Sequence, residues 1–472
     1  MIRRDFFRWL MASSTLLGIR SLRAQDTPTG HPDHETVEAK PAAAAPPSEQ
    51  AGTGDFLPVE TPDIPKLPWR LENGVKVFHL IAEVVKREFK PGWSFDVWGF
   101  NGHMPGPTIE VRQGDRVRIV VENRLPEPTS MHWHGFEIPF AMDGVPGVHQ
   151  DAIPPGGKYV YEFTLHQHGT FFYHSHMAMQ EMMGMIGLFI MHPKEPYQPR
   201  VDRDFGLIFQ EFAILPNNTV PNSLSMEFNW LPINGRVGPA TTPLIVRLGD
   251  RVRIRMVNLG MDHHPIHLHG NTFYVTGTEA GRVPEAAWTP ANTVLLGVAQ
   301  ARDIEFEAKY PGDWPLHCHL PHHMMNHMAS MVGPLAHVGR GMHAGMGMTE
   351  GMGMPRQGDA LSEEQGPSLG RTMGGGSDLE KRTTHLPPHG QHGAGAKPPR
   401  VPGYPQDMFM AEDAAVAKPE TQGLRPGWSG GIQGMMTLVR VLEPDQYEKI
   451  KALQSRATQG KPKRRTPPHH HG

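Results

Sequence analysis

The chain has 472 residues, enough for two or three domains of ordinary size, with 38% apolar residues and a net charge of −3. No long basic run lies outside the extreme C-terminus, which argues against a nucleic-acid partner, and no stretch is apolar for long enough to form a transmembrane helix. Gly 52 and Pro 47 point to an all-β chain with many turns and some irregular additions.

Residues 1–24 read as an address. Arg3-Arg4 precede a modestly apolar stretch from Trp9 to Ile19 and a small-residue exit around Ala24, a pattern that resembles a twin-arginine (Tat) export signal. An ordinary secretory signal, or an amphipathic terminus with no signal role, is the alternative. Export would place the protein in the periplasm or outside the cell. Its single cysteine, Cys318, cannot form an internal disulfide, so it is either incidental or chemically employed.

Residues 25–65 are rich in Ala, Pro and Thr and read as a disordered linker. From residue 66 short β-branched and aromatic runs alternate with Gly and Pro at sandwich-like spacing. A repeat then appears: Pro107 to Ile119 (PTIEVRQGDRVRI) returns as Pro243 to Ile254 (PLIVRLGDRVRI). Each copy leads to a His-x-His-Gly and later to a second His-x-His, which predicts two related β-sandwich domains at 66–200 and 201–340. Residues 341–402 are Gly- and Met-rich without periodicity and are expected to be disordered. Residues 403–460 form an extension with one strand, Met435 to Leu442, and a short helix from Pro444. Residues 461–472 are a basic, His-containing tail. Whether the extension packs on the second domain is not legible at this level.

Side chains alternate faces along a strand, so His-x-His places both imidazoles on one side. Four such pairs, His132/His134, His174/His176, His267/His269 and His317/His319, can converge if the two domains face each other. Eight imidazoles without a cation would be costly to bury, and imidazole suits copper. The same alternation turns Cys318 away from its neighbours His317 and His319, into the domain core. His264 falls on that inner face, while His323 and Met328 follow on the loop leaving the strand. Two imidazoles, a thiolate and a weak thioether form the ligand set of a blue-copper electron-transfer site.

These motifs resemble the four copper motifs of multicopper oxidases over residues 66–340. The resemblance implies two cupredoxin-like Greek-key domains and four coppers per active unit: one type 1, one type 2 and a type 3 pair. Carried over, type 1 copper would be held by His264, Cys318, His323 and axial Met328, and type 2 by His132 and His267. The type 3 pair would be held by His134, His174, His176, His269, His317 and His319. Asp143 resembles the family's acid that helps supply protons for oxygen reduction, although Asp143-Gly144 also reads as a plain turn. In the first domain Thr129, Ser175 and Gln180 stand where His264, Cys318 and His323 stand in the second, so no type 1 site can form there. The chain looks like the two-domain class, which implies a homotrimer with each histidine cluster shared between neighbouring chains.

The implied reaction takes single electrons from a reduced substrate and converts dioxygen to water. Methionines near the ends of both domains and at Met342, Met346, Met348, Met352 and Met354 favour Cu(I) as that substrate, because thioethers are soft ligands. Core filling is the plain reading of the Met residues within the domains. Phenols or aromatic amines, as for a laccase, are the alternative substrates, with Fe(II) or Mn(II) a further one. Copper nitrite reductase matches poorly because it lacks the full set of His-x-His pairs, and a copper-storage protein leaves the placement of Cys318 unexplained.

Overall fold

The computed structural model describes residues 56–177, 179–214, 218–223, 226, 228–325 and 411–459. The expected signal, the Gly- and Met-rich segment and the basic tail lie outside them, as does most of the linker.

The described chain folds into two β-sandwiches. In the first, β1 (Trp69–Glu72), β2 (Val75–Lys90), β5 (Arg116–Asn123) and β7 (Lys158–Thr164) make one sheet, with β3 (Trp93–Phe100) also on β2. The facing sheet runs β4 (Gly106–Arg112), β9 (Ile186–His192), β8 (Gly169–Ser175), β6 (Met131–His134). The second sandwich repeats this plan. One sheet contains β10 (Arg203–Phe209), β12 (Arg251–Asn258), β18 (Gln300–Glu307) and β14 (Phe273–Thr278), edged by β15 (Gly281–Arg282) and β16 (Thr289–Ala291). The other runs β11 (Leu244–Arg247), β20 (Met436–Leu442), β19 (Gly312–Cys318), β13 (His264–Leu268), β17 (Thr293–Leu296). The sequence repeat is therefore a structural one: β4 and β5 correspond to β11 and β12.

Strand β20 comes from the C-terminal extension, yet it is an inner strand. It pairs parallel with β11 and antiparallel with β19, and every residue of it is buried. Burial on both faces is why Met-Thr-Leu-Val-Arg-Val-Leu lacks the alternation of a surface strand. The helix that follows, α1 (Pro444–Gln459), lays Tyr447 and Ile450 against Ile245 and Leu442.

Strands β8 and β9 are likewise buried throughout. One face fills the first core, where Trp133 is fully enclosed by Tyr161, Phe163 and Phe189. The other face meets the second sandwich through Phe172, Ile186, Leu188 and Ile190 against Ile208, Val257 and Ala301. This contact also contains a buried ionic network. Arg255, 1% exposed at its side chain, donates to both carboxylate oxygens of Asp204 and to the hydroxyl of Thr170 on β8. Thr170 in turn donates to Asp303 at 2.6 Å.

Candidate copper centres

Cys318 ends β19, and His264 begins the neighbouring strand β13. His323 sits in a single 3₁₀ turn, Pro321–Met324, opened by a proline whose missing N–H needs no partner there. The turn folds back so that His323 Nδ1 lies 3.5 Å from Cys318 Sγ, and His264 Nδ1 lies 3.7 Å from it on the other side. All three side chains are buried. The opposite nitrogens face acids: His264 Nε2 sits 2.8 Å from Glu211 Oε1, and His323 Nε2 sits 3.5 Å from Asp262. Glu211 is fully buried and accepts the backbone N–H groups of Met261 and Asp262.

Burial pushes the Cys318 thiol up to about 12 and the His323 imidazole down to about 3. Without a cation Cys318 and His323 are therefore neutral at ordinary pH. A soft thiol sulfur with two imidazole nitrogens turned towards it in an apolar enclosure is the donor set that copper prefers, and binding would draw off the thiol proton. The residues fit the metal. Met328 lies outside the described residues.

The first sandwich shows the same place without ligands. Thr129 and Ser175 each donate to Gln180 Oε1, at 2.8 and 2.6 Å, and all three are buried. The hydroxyls and amide satisfy one another, so no donor is left for a metal.

The His-x-His pairs behave differently. His132 faces His174 across β6 and β8, and His267 faces His317 across β13 and β19. In each of these four the Nδ1–H donates to a backbone carbonyl: Asp143, Ser175, Asn292 and Cys318, at 2.7–2.8 Å. That bond settles the tautomer and leaves Nε2 with a lone pair, as metal-binding imidazoles require. Two nitrogen pairs converge further, His134 Nδ1 with His174 Nε2 at 3.3 Å and His269 Nε2 with His317 Nε2 at 3.1 Å. Nitrogens bound to one ion at about 2 Å would lie about 3 Å apart. Burial lowers His132, His269 and His317 from the usual range and brings His134 down to about 4, so they are neutral and available. His176 and His319 complete the two groups, with ring centroids 5.3 Å from His132 and 5.6 Å from His267. Among the described residues, the ring contacts between these histidines all lie within one sandwich: the first four form one cluster and the second four another.

Asp143 is placed beside the first cluster by a close approach. Gly144 has φ +86°, and a Cβ there would overlap the Met131 carbonyl, so the Asp-Gly turn is needed to seat the loop on β6. The Asp143 carboxylate then lies 3.6 Å from His132 Nδ1 and 3.2 Å from His149 Nδ1. Sequence reasoning missed Glu211, Asp262, His149 and Glu181, which lies 2.8 Å from His174 Nδ1. Only Glu211 carried a signal, as a lone acid at the end of an apolar strand.

Two family models described as multicopper oxidase match, at residues 83–196 and 214–333. The chain is a multicopper oxidase by family. A copper resistance protein A homolog of Pseudomonas syringae pv. tomato is 46% identical over 113 residues, which is 24% of this chain and 19% of that protein. Laccase-1 of Cryptococcus neoformans var. grubii is 35% identical over 200 residues, 42% of this chain and 30% of that one. The matches thus span well under half of these relatives. The blue copper oxidase of Nitrosomonas europaea is 30% identical, with a TM-score of 0.49, over 53% of this chain and 81% of that one. The fold of the described residues is all-β, two sandwiches that repeat one plan.

Proposed function

We propose that this multicopper oxidase removes single electrons from Cu(I) and delivers them to dioxygen. One observation carries the reading. Cys318 faces His264 and His323 while its chain neighbours His317 and His319 belong to a separate histidine cluster. When bound, a type 1 copper supplies one-electron redox chemistry and a type 2 and type 3 set supplies four-electron reduction of dioxygen to water. The chain supplies the rest. Cys318 links the two places through covalent bonds. Glu211 orients His264, and the four Nδ1–H bonds hold the cluster imidazoles in one tautomer. Asp143, whose Oδ2 lies 3.2 Å from His149 Nδ1, is the acid placed next to the first cluster, where oxygen reduction consumes protons.

Asp262 and His322 support a metal-ion substrate. With His323 they bring ligand atoms within 4.8 Å of one another, at the outer edge of the electron-accepting imidazole. A carboxylate and an imidazole suit a cation better than an aromatic ring. The name of the copper resistance relatives agrees with a role in copper tolerance. Laccase-like oxidation of phenols is the second reading, favoured by the longer match to the fungal laccase.

The separate clusters within one chain support a homotrimer in which the first sandwich of one copy completes the second sandwich of the next. Four coppers per completed unit and Tat-dependent export to the periplasm belong to the same reading. The deciding experiment is oxygen uptake by the copper-loaded protein with Cu(I) and with 2,6-dimethoxyphenol, repeated on Asp262→Asn with His322→Ala. Cu(I) turnover that dominates and falls selectively in the double variant supports the reading. Dominant phenol turnover, indifferent to the variant, makes the protein a laccase.

A further inference from the structure

We propose that the axial thioether of the type 1 site comes from Met435, on the far side of a long insertion, and not from the ligand loop itself. This rests on the type 1 site proposed above and names its fourth ligand.

The two sandwiches share a register that can be read residue by residue. On β8 and β9 His174 stands opposite Ile186, and on β19 and β20 His317 stands opposite Met436. Met185 and Met435 are therefore equivalent, each preceded by a glycine with positive φ, Gly184 and Gly434. Their backbone bonds are the same. Ser175 N–H donates to the Met185 carbonyl at 3.2 Å, and Cys318 N–H donates to the Met435 carbonyl at 3.1 Å. Met185 N–H donates to the Gln180 carbonyl at 3.3 Å, and Met435 N–H donates to the His323 carbonyl at 2.8 Å. Met435 is thus tied by its own peptide groups to both Cys318 and His323.

Its side chain faces the right way. Met435 is fully buried and belongs to the same apolar core as Cys318, Ile266 and Leu268, together with Val439 and Val441. Met436 and Leu438 alternate to the opposite face, with Met324, Leu424 and Trp428. Two methionines lie side by side in the sequence, and only the first shares the enclosure of the thiol.

The backbone leaves the site at Met325 and returns at Gly434, where a Cβ would overlap the His323 carbonyl and the Met325 backbone. Gly434 is what lets the two ends of the insertion close on each other. A two-His, one-Cys site takes a weak axial ligand that tunes its potential, and a Met at this place supplies it. The consequence is that the electron-transfer site is assembled only after the C-terminal strand has docked, so everything between Asn326 and Gln433 is inserted within the ligand set.

The test is spectroscopic and uses the full-length, copper-loaded protein. Met435→Leu, Met435→Gln, Met328→Leu and Met185→Leu are compared by visible absorption, by EPR of the oxidised type 1 copper, and by its reduction potential. We expect Met435→Leu to raise the potential and Met435→Gln to lower it while changing the ratio of the two thiolate-to-copper bands. Met328→Leu and Met185→Leu should leave spectrum and potential superimposable on the parent, Met185→Leu reporting the cost of core trimming alone. A shifted spectrum in Met328→Leu, or Met435 variants that differ from the parent only in stability, would overturn the assignment. If neither Met435 variant accumulates, Met328→Leu decides alone: an unchanged spectrum supports Met435 and a changed one refutes it. Absence of any type 1 signal in the parent would instead refute the proposed type 1 site.

Discussion

Glu211→Gln probes the charge behind His264 while keeping the side chain's shape. The carboxylate is fully buried, lies 2.8 Å from His264 Nε2 and accepts the N–H groups of Met261 and Asp262. The amide can still accept through its oxygen, so the loop at Met261 should stay in place. What is lost is the carboxylate charge 2.8 Å from His264 Nε2, an ionic contact taken on the scale of a hydrogen bond to a charged group, about 1.5–3 kcal/mol. Since about 1.4 kcal/mol is a factor of ten, the variant should bind Cu(II) at the type 1 site roughly ten- to a hundred-fold more weakly, the range typical of groups that orient a metal ligand. Loss of a nearby negative charge also disfavours Cu(II) relative to Cu(I), so the potential should rise. The assay is a competition titration with a Cu(II) chelator, followed at the thiolate-to-copper band, alongside urea unfolding of the metal-free protein. An affinity within about twofold of the parent would refute the argument. So would a loss of affinity matched by an equal loss of metal-free stability, because the effect would then be one of folding.

Three further outcomes follow from the same structure. Arg255→Ala strands Asp204 and Asp303 in the contact between the sandwiches, and urea unfolding of the metal-free protein should register a loss of about 3–5 kcal/mol. His134→Ala and His317→Ala disable different clusters. If clusters are completed between chains, mixing the two inactive proteins under conditions of subunit exchange should restore some oxygen uptake, whereas sites built within one chain would restore none. His192, buried beside Arg255, has its pKa lowered to about 3, chiefly by burial. Its neutral form is thus bound in the folded state, and its contribution is complete above the unfolded value near 6.5 and is lost as pH falls from there towards 3. Stability should therefore drop by up to about 1.4 kcal/mol per pH unit across that window, and His192→Gln should flatten the drop.

The histidine and cysteine motifs were legible because their geometry is local. His-x-His on a strand places two rings on one face wherever the strand goes, and a cysteine between two such histidines must point the other way. The repeat from Pro107 and Pro243 likewise announced two sandwiches, since the same turn residues and β-branched runs recur in order. Substitution at Thr129, Ser175 and Gln180 could be read from alignment of the two halves alone, and the structure brings those three together. Strand β20 was less open. Its residues read as a strand, but its seat between β11 and β19 depends on pairing across a long stretch of chain, which local pattern does not encode.

What the sequence by itself determined is the donor chemistry, the β periodicity and the duplication, all of which depend on residue type at short spacing. The tertiary structure alone decided the rest. It put Glu211 behind His264, Asp143 against His149, and Arg255 in a dry contact between sandwiches. It also decided which of two adjacent methionines shares a core with Cys318. Those are contacts between residues far apart in the chain, fixed by how two sheets pack and by the need to pair every buried charge, and no short window of sequence contains them.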